Sequence, residues 1–334
     1  MQKIIFRVDG DHGEKIGLGH IKRTINLYRE LKKDLKNKNF LFLMKNYKLG
    51  QKLIKSETKE KIITYNSKNL KKTFTGIDYQ KDFLIIDTFG NDKKLNKFLN
   101  LINFKKVVSF DNLNDDLKNR NLIFNGIVFT KKKIKNSKNT LIYQGFNYLI
   151  LSKKMKFKKH LKFKKKLFFN ILICAGGADI SNFLYSITNI LIKFENLKIN
   201  LIIGDGVKET NPIFNLKDNR SIKFIYRPEN LNEYIEKSDI CITSGGTVMF
   251  ECLLKSKPTI PFATYNHQKF AINYLDKKQC IIYTNNSKRK LKSFFLNLEK
   301  KIPFINKKIC RISKIIDDRG LLRVKNKIIK FVKE

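Results

Sequence analysis

Phe6-Arg7-Val8-Asp9, followed after a short interval by Gly17-Leu18-Gly19-His20-Ile21-Lys22-Arg23, puts a histidine where an apolar strand gives way through a glycine turn to a helix. Lys3 to Val8 forms a short apolar run of strand type. Ile21, Ile25, Leu27, Leu31 and Leu35 then recur near helical spacing, so the glycines fall in the connecting loop. His20 therefore opens the helix, beside the positive end of the backbone dipole. That position suits a general base, which must accept a proton as a neutral imidazole. A histidine that only caps or packs at a helix start fits the same local pattern.

The chain has 334 residues, more than one compact core usually serves, and two domains of roughly 150 residues each are expected. No uninterrupted apolar run of about 18 residues occurs, and the chain starts directly in a strand without a leader pattern. The expectation is a cytoplasmic protein without stable membrane insertion, read as a monomer. Lys and Arg number 70 against 29 Asp and Glu, a formal charge of +41. Such a charge raises nucleic acid as a partner, but the lysines are spread along the chain and no nucleic-acid-binding motif accompanies them, so none is expected. A positive field would instead steer phosphorylated substrates inward, or attract anionic lipid loosely. The five cysteines (Cys174, Cys241, Cys252, Cys280 and Cys310) form no close pairs, and Cys174 and Cys241 lie in apolar runs. They read as reduced structural thiols rather than a zinc site.

Residues 1–152 alternate strand-like runs with helical or polar segments: Ile4 to Val8, Phe40 to Met44, Lys61 to Thr64, Phe83 to Asp87, Lys105 to Phe110 and Leu122 to Phe124. This is the pattern of a parallel sheet covered by helices. From Lys153 to Lys166 lysine dominates, which suits a solvated linker and marks the domain boundary. A second series fills 167–334, with strands to Ala175, over Ile199 to Ile203, Ile222 to Tyr226 and Ile240 to Thr243. A helix is expected from about Ile180 to Phe194, and a final helical segment over Gly320 to Val332 packs back on the first domain. The fold class is α/β, two Rossmann-like domains facing a cleft, with ligands beyond the carboxyl ends of the strands.

In the second half, Cys174-Ala175-Gly176-Gly177-Ala178-Asp179 follows one strand and Ser244-Gly245-Gly246-Thr247 another. Glycines there let backbone N–H groups approach an anion closely, as in a diphosphate cradle. A tight turn explains either pair alone. Glu251 stands four residues after Thr247 on the same helix face, where a carboxylate can accept both hydroxyls of a ribose, or simply face solvent. Pro258-Thr259-Ile260-Pro261-Phe262 leads to Asn266-His267-Gln268 at the next helix start. Gln268 and Asn273 are placed to meet sugar hydroxyls, and Asn266 alternatively caps the helix.

Together these residues resemble the family of nucleotide-sugar hydrolases and spore-coat polysaccharide proteins typified by the UDP-2,4-diacetamido-2,4,6-trideoxy-β-L-altropyranose hydrolase of pseudaminic acid synthesis. The resemblance runs nearly end to end. It is carried by Arg7, Asp9, Gly17-Leu18-Gly19-His20 with Arg23, Asp87 with Gly90, Asp111, and Gln144-Gly145-Phe146-Asn147-Tyr148-Leu149. The two glycine loops, Glu251, Gln268 and Asp317-Asp318-Arg319-Gly320 with Arg323 complete it. It implies a glycosyltransferase-B-like (GT-B) fold and a UDP-sugar substrate. It also implies a reaction needing neither cofactor nor metal, in which water attacks the anomeric carbon and UDP departs. His20 matches the family's catalytic histidine, with Asp9 orienting the ring or the water, or capping the glycine loop. Gly17, Gly19, Arg23, Asp87, Phe89, Gly176, Gly177, Ser244, Gly245, Gly246, Thr247, Glu251, His267 and Gln268 take the substrate-binding positions. Two positions depart from the family: Phe89 replaces its usual tyrosine and His267 its usual asparagine, both in the sugar pocket. Two extra residues between Asp9 and Gly17 add His12. Two other readings stand beside the hydrolase: a glycosyltransferase handing the sugar to an acceptor, and a nucleotide-sugar-binding protein with a degenerate site.

Overall fold

The computed structural model describes residues 2–11, 17–88, 92–110, 117–126, 140–152, 155–158, 162–179 and 181–334. The chain divides into two compact units, Met1–Lys153 with Arg319–Glu334, and Lys154–Asp318. Unit 1 runs β1 (Lys3–Val8), α1 (Gly19–Asp34), β2 (Asn39–Met44), α2 (Lys48–Glu57), β3 (Lys61–Thr64), α3 (Leu70–Thr73), β4 (Phe83–Asp87), α4 (Lys93–Leu101), β5 (Lys106–Phe110), β6 (Leu122–Asn125) and β7 (Leu141–Gln144). Unit 2 runs β8 (Phe169–Cys174), α5 (Phe183–Leu191), β9 (Leu197–Ile203), β10 (Ile222–Tyr226), α6 (Leu231–Lys237), β11 (Ile240–Ser244), α7 (Thr247–Leu254), β12 (Thr259–Phe262), α8 (Gln268–Lys277), α9 (Lys288–Leu296) and α10 (Ile302–Ile312). The last helix, α11 (Gly320–Lys333), belongs to unit 1.

Both sheets are parallel and doubly wound, in the orders β3-β2-β1-β4-β5-β6-β7 and β10-β9-β8-β11-β12. Burial on both faces explains the strands' continuous apolar character. In β1, Ile4, Phe6 and Val8 point into one core, where Phe6 stacks on Phe42 at 5.3 Å and meets Tyr28 of α1 edge-on. Ile5 points to the other, with Leu84, Ile86, Leu95 and Phe104. Arg7 shares that second face by the alternation of the strand, so its guanidinium starts out buried among apolar side chains and needs partners.

Helix α11 closes unit 1 by laying Leu321, Val324, Ile328 and Val332 on the first core, with Phe331 edge-on to Phe83 of β4. Gly320 lets it dock: a Cβ there would lie 2.0 Å from the Leu149 carbonyl oxygen. Arg323 Nη1 also donates to the Asn147 carbonyl at 3.2 Å.

Three elements differ from the sequence reading. Strand β7 carries a weak pattern because half of it is exposed at the sheet edge. The lysine-rich 153–166 stretch is no free linker in its described part. Met155 and Phe163 are buried, Phe163 stacks on Phe169 at 5.5 Å, and the lysines keep their heads outward. Helix α5 starts three residues later than expected, at Phe183, because Asn182 before it takes a left-handed conformation (φ +51°); the Asp179 carboxylate accepts the first helical N–H groups, from Phe183 at 2.7 Å and Leu184 at 3.1 Å.

Candidate active site

In unit 1 the strand order reverses between β1 and β4, and Val8 pairs with Asp87 across the two strands. A doubly wound sheet binds ligands at such a point. His20, in the first turn of α1, directs Nδ1 to Asp87 Oδ1 at 2.6 Å. Arg23, one turn on, grips both Asp87 oxygens, with Nε at 2.8 Å from Oδ2, and Thr24 Oγ1 donates to Oδ2 at 3.2 Å. The Phe110 ring lies under the Arg23 guanidinium at 5.3 Å. Burial alone pushes the Asp87 carboxyl up, but the charges and hydrogen bonds of Arg23 and His20 outweigh it and hold the group well below the usual carboxylate range. Asp87 is therefore an ionised acceptor. The ring nitrogen facing it is the donor, and in that tautomer Nε2 is the nitrogen that carries the lone pair. The His20 side chain keeps 23% exposure, enough for water to reach it.

A second network lies beside the first. Arg7 Nη2 donates to Asp9 Oδ2 at 2.6 Å and to the Tyr65 hydroxyl at 2.7 Å, with the Tyr65 ring 4.4 Å from its guanidinium carbon. Asp9 Oδ1 accepts the backbone N–H of Lys45 at 2.9 Å. Tyr65 in turn donates to Asp92 Oδ2, which Lys45 Nζ approaches at 3.1 Å. Burial, together with Asp92 and against Arg7, pushes the Tyr65 phenol far above its usual range, so it stays a donor. This network ties together the chain leaving β1, β2 and β3 and the start of α4. Asp9 is thus engaged with Arg7 and Lys45, and Asp87 is the carboxylate on His20.

In unit 2 the reversal falls between β8 and β11, which brings the two glycine loops side by side. Ser244 Oγ donates to the Ala175 carbonyl at 2.8 Å and links them. Gly176 adopts φ +91°, a conformation that favours glycine. Behind it, the Gly204 position admits no side chain, since a Cβ would lie 2.3 Å from the Gly176 carbonyl oxygen. Gly245 packs on Ile272 and Gln268, and Thr247 opens α7 just after Gly246. Glu251 lies half-buried one turn further along.

Gln268 is buried, and its Oε1 accepts from Thr264 N at 2.9 Å, Thr264 Oγ1 at 3.1 Å and Tyr265 N at 3.3 Å. That fixes the amide: Nε2 is turned toward Gly246. His267, not Asn266, holds the N-cap position of α8; it is exposed, and its ring stacks on Tyr265 at 5.4 Å. Asn273 follows Gln268 by five residues and so points to another side of the helix. Gly17 lies just before α1 with open space where a Cβ would go, and Gly19 is the first residue of that helix. Phe89, Gly90, Asp111 and His12 lie outside the described residues. Tyr65, Lys45 and Asp92 were absent from the sequence reading; their only signal is position just past a strand or at a helix start.

Two doubly wound parallel units of this kind define an α/β protein of the GT-B type. Among solved structures, MurG of Acinetobacter baumannii matches with a TM-score of 0.66 at 10% identity, over 99% of this chain and 100% of that one. MnaA of S. aureus, solved with UDP, matches with a TM-score of 0.65 at 10% identity, over 100% and 97%. In sequence, the chain is 31% identical over 278 residues to an uncharacterised protein of Methanocaldococcus jannaschii, covering 77% of this chain and 55% of that protein. It is 25% identical over 294 residues to the UDP-2,4-diacetamido-2,4,6-trideoxy-beta-L-altropyranose hydrolase of Campylobacter jejuni, covering 83% and 97%. With the spore coat polysaccharide biosynthesis protein SpsG of Bacillus subtilis the identity is 22% over 193 residues, covering 56% and 57%. The chain thus spans about half the length of the first and third of these relatives. No family model matches it. The chain is thus similar, at low identity, to a nucleotide-sugar hydrolase and to a spore-coat polysaccharide biosynthesis protein.

Proposed function

We propose that this protein hydrolyses a UDP-sugar, releasing UDP and the free sugar, with a UDP-diacetamido-trideoxyhexose as substrate. The observation that carries the reading is His20 held through Nδ1 by an ionised Asp87 at the β1–β4 reversal point. In the reaction, Nε2 takes a proton from water as its oxygen bonds to the anomeric carbon. The bond from that carbon to the diphosphate oxygen breaks, and its electron pair leaves with UDP. The amide-lined loops at Gly176-Gly177 and Ser244-Gly245-Gly246 take the diphosphate, where backbone N–H groups offset its growing charge. Glu251 takes the ribose, and Gln268 Nε2 donates to the substrate beside Gly246. His267 and Phe89 stand at positions where the resembled hydrolases carry an asparagine and a tyrosine, and that difference bears on which sugar fits.

The test is UDP release from a panel of UDP-sugars without acceptor, run in ¹⁸O-water. Label in the free sugar and none in UDP is expected. Label in UDP would mean attack at phosphorus and overturn the reading. A transferase is the second reading, supported by an open depression of about 390 Å³ lined by Lys45, Asn46, Thr64, Tyr65, Asn66 and Ser67, room for an acceptor in unit 1. UDP release that requires an added acceptor alcohol would favour it.

A further inference from the structure

Between Lys288 and Lys314 the chain carries ten Lys and Arg against one acidic residue, Glu299, and between Lys162 and Phe168 four lysines and no acid. Across the whole chain the ratio is only 70 to 29. The structure brings these two segments together. The Phe163 N–H donates to Asn306 Oδ1 at 2.8 Å, its carbonyl accepts from Asn306 Nδ2 at 3.0 Å, and Lys165 Nζ meets Glu299 at 2.7 Å. Lys166 reaches Asp239, the residue before β11, and Phe168 directly precedes β8. The combined surface therefore lies at the amino edge of the unit 2 sheet, away from the glycine loops at its carboxyl edge.

The same edge exposes aliphatic and aromatic side chains. Leu167 is 82% exposed, Leu296 65%, Phe304 44% and Phe168 43%, four of the nine large apolar side chains exposed among the described residues. The ammoniums of Lys301 and Lys308 lie 5.8 and 4.9 Å from the Phe304 ring.

We propose that this amino edge of unit 2 docks on an anionic lipid bilayer. Lysines gain affinity at a negatively charged leaflet, while Leu167 and Leu296 enter the boundary between headgroups and acyl chains. An RNA strand offers phosphates to the lysines but no apolar phase for two leucines, so it matches half of the surface. Docked this way, the glycine loops stay open to a nucleotide from solution.

Flotation of the full chain with vesicles of phosphatidylcholine, alone or mixed with phosphatidylglycerol, tests this. Binding is expected only to the mixed vesicles, falling about fivefold for each lysine removed in Lys300→Gln and Lys301→Gln. Leu296→Ser with Phe304→Ser is expected to weaken it at least fivefold, with the melting temperature unchanged. A charge-matched control, Lys52→Gln with Lys55→Gln on exposed positions of α2, keeps the net charge equal to that of the double lysine variant. Equal loss in that control would make the binding a property of net charge alone and overturn the proposal. So would indifference to Leu296 and Phe304, or displacement by single-stranded RNA that binds as tightly as the mixed vesicles.

Discussion

The two strand-reversal points share a topology and differ in material: unit 1 fills its carboxyl edge with charged side chains locked to one another, unit 2 with glycines and backbone amides. Asp87 is ionised and bonded by Arg23, His20 and Thr24. Asp179, the carboxylate that follows the first glycine loop, instead turns away to accept the first N–H groups of α5, and burial pushes its pKa up. Fixed ion pairs can orient a ring for proton transfer but resist rearrangement around a ligand. A loop of amides offers donors and no competing charge, which is what a diphosphate requires. On the proposed hydrolysis, that contrast puts the proton transfer at one edge and the nucleotide at the other.

The sharpest way to break that division is His20→Asn. Turnover is expected to fall about 10²–10⁴-fold, while UDP affinity measured by calorimetry stays within about twofold. A parallel loss of UDP affinity would move His20 from proton transfer into binding, and the two edges would no longer divide the work.

Next comes Asp87→Asn, which removes the buried carboxylate bonded by Arg23, His20 and Thr24 and is expected to cost about 3 kcal/mol in urea unfolding of unit 1. The pH dependence separates the two carboxylates. Asp87 has a lower pKa folded than unfolded, so its contribution is complete above the unfolded value of about 4 and drains away as pH falls toward the folded one. The gap between wild type and Asp87→Asn should therefore be equal at pH 7 and pH 5 and shrink below about pH 4. Asp179 is raised, so its sign is opposite. Its contribution is complete below the unfolded value and lost as pH rises, and wild type should gain on Asp179→Asn between pH 7 and pH 4. Two gaps with the same slope would erase the contrast.

Smaller again is Gly204→Ala, whose methyl would meet the Gly176 carbonyl oxygen at 2.3 Å and the Gly177 oxygen at 2.9 Å. Backbone has to shift, at about 1–3 kcal/mol, and UDP affinity should fall with it while the unit 1 melt is unmoved. Unchanged affinity would separate the first glycine loop from the nucleotide.

Most strands were legible because a parallel sheet buried on both faces leaves unbroken apolar runs such as Phe83 to Asp87 and Ile240 to Ser244. Leu141–Gln144 was not, since an edge strand half in water has no such run. The segment 153–166 misled because lysine counts register the exposed heads and miss Met155 and Phe163 beneath them. At the site, the glycines and His20 announce themselves by spacing. The His20–Asp87 bond does not, because its members stand 67 positions apart and meet only once β1 pairs with β4. Strand order was the missing step. With Val8 opposite Asp87, the carboxylate at the end of β4 becomes the natural partner of the ring, and Asp9, one residue past its strand, is left to Arg7 and Lys45.

The smallest effect tests the amide edge by itself. Gln268→Glu keeps the size and the acceptor that takes the N–H groups of Thr264 and Tyr265. It replaces the Nε2 donor facing Gly246 with a carboxylate oxygen. Folding should change by no more than about 1 kcal/mol, because the three bonds to Oε1 remain available to either side chain. UDP affinity should drop about tenfold, from the lost donor and from repulsion between the new charge and the diphosphate. That drop should be smaller in high salt, where screening weakens repulsion but restores no hydrogen bond. Calorimetry at two ionic strengths reads both parts. A Gln268→Glu protein that binds UDP as wild type does would mean that Nε2 faces no anion, and would leave unit 2's edge defined by its glycines alone.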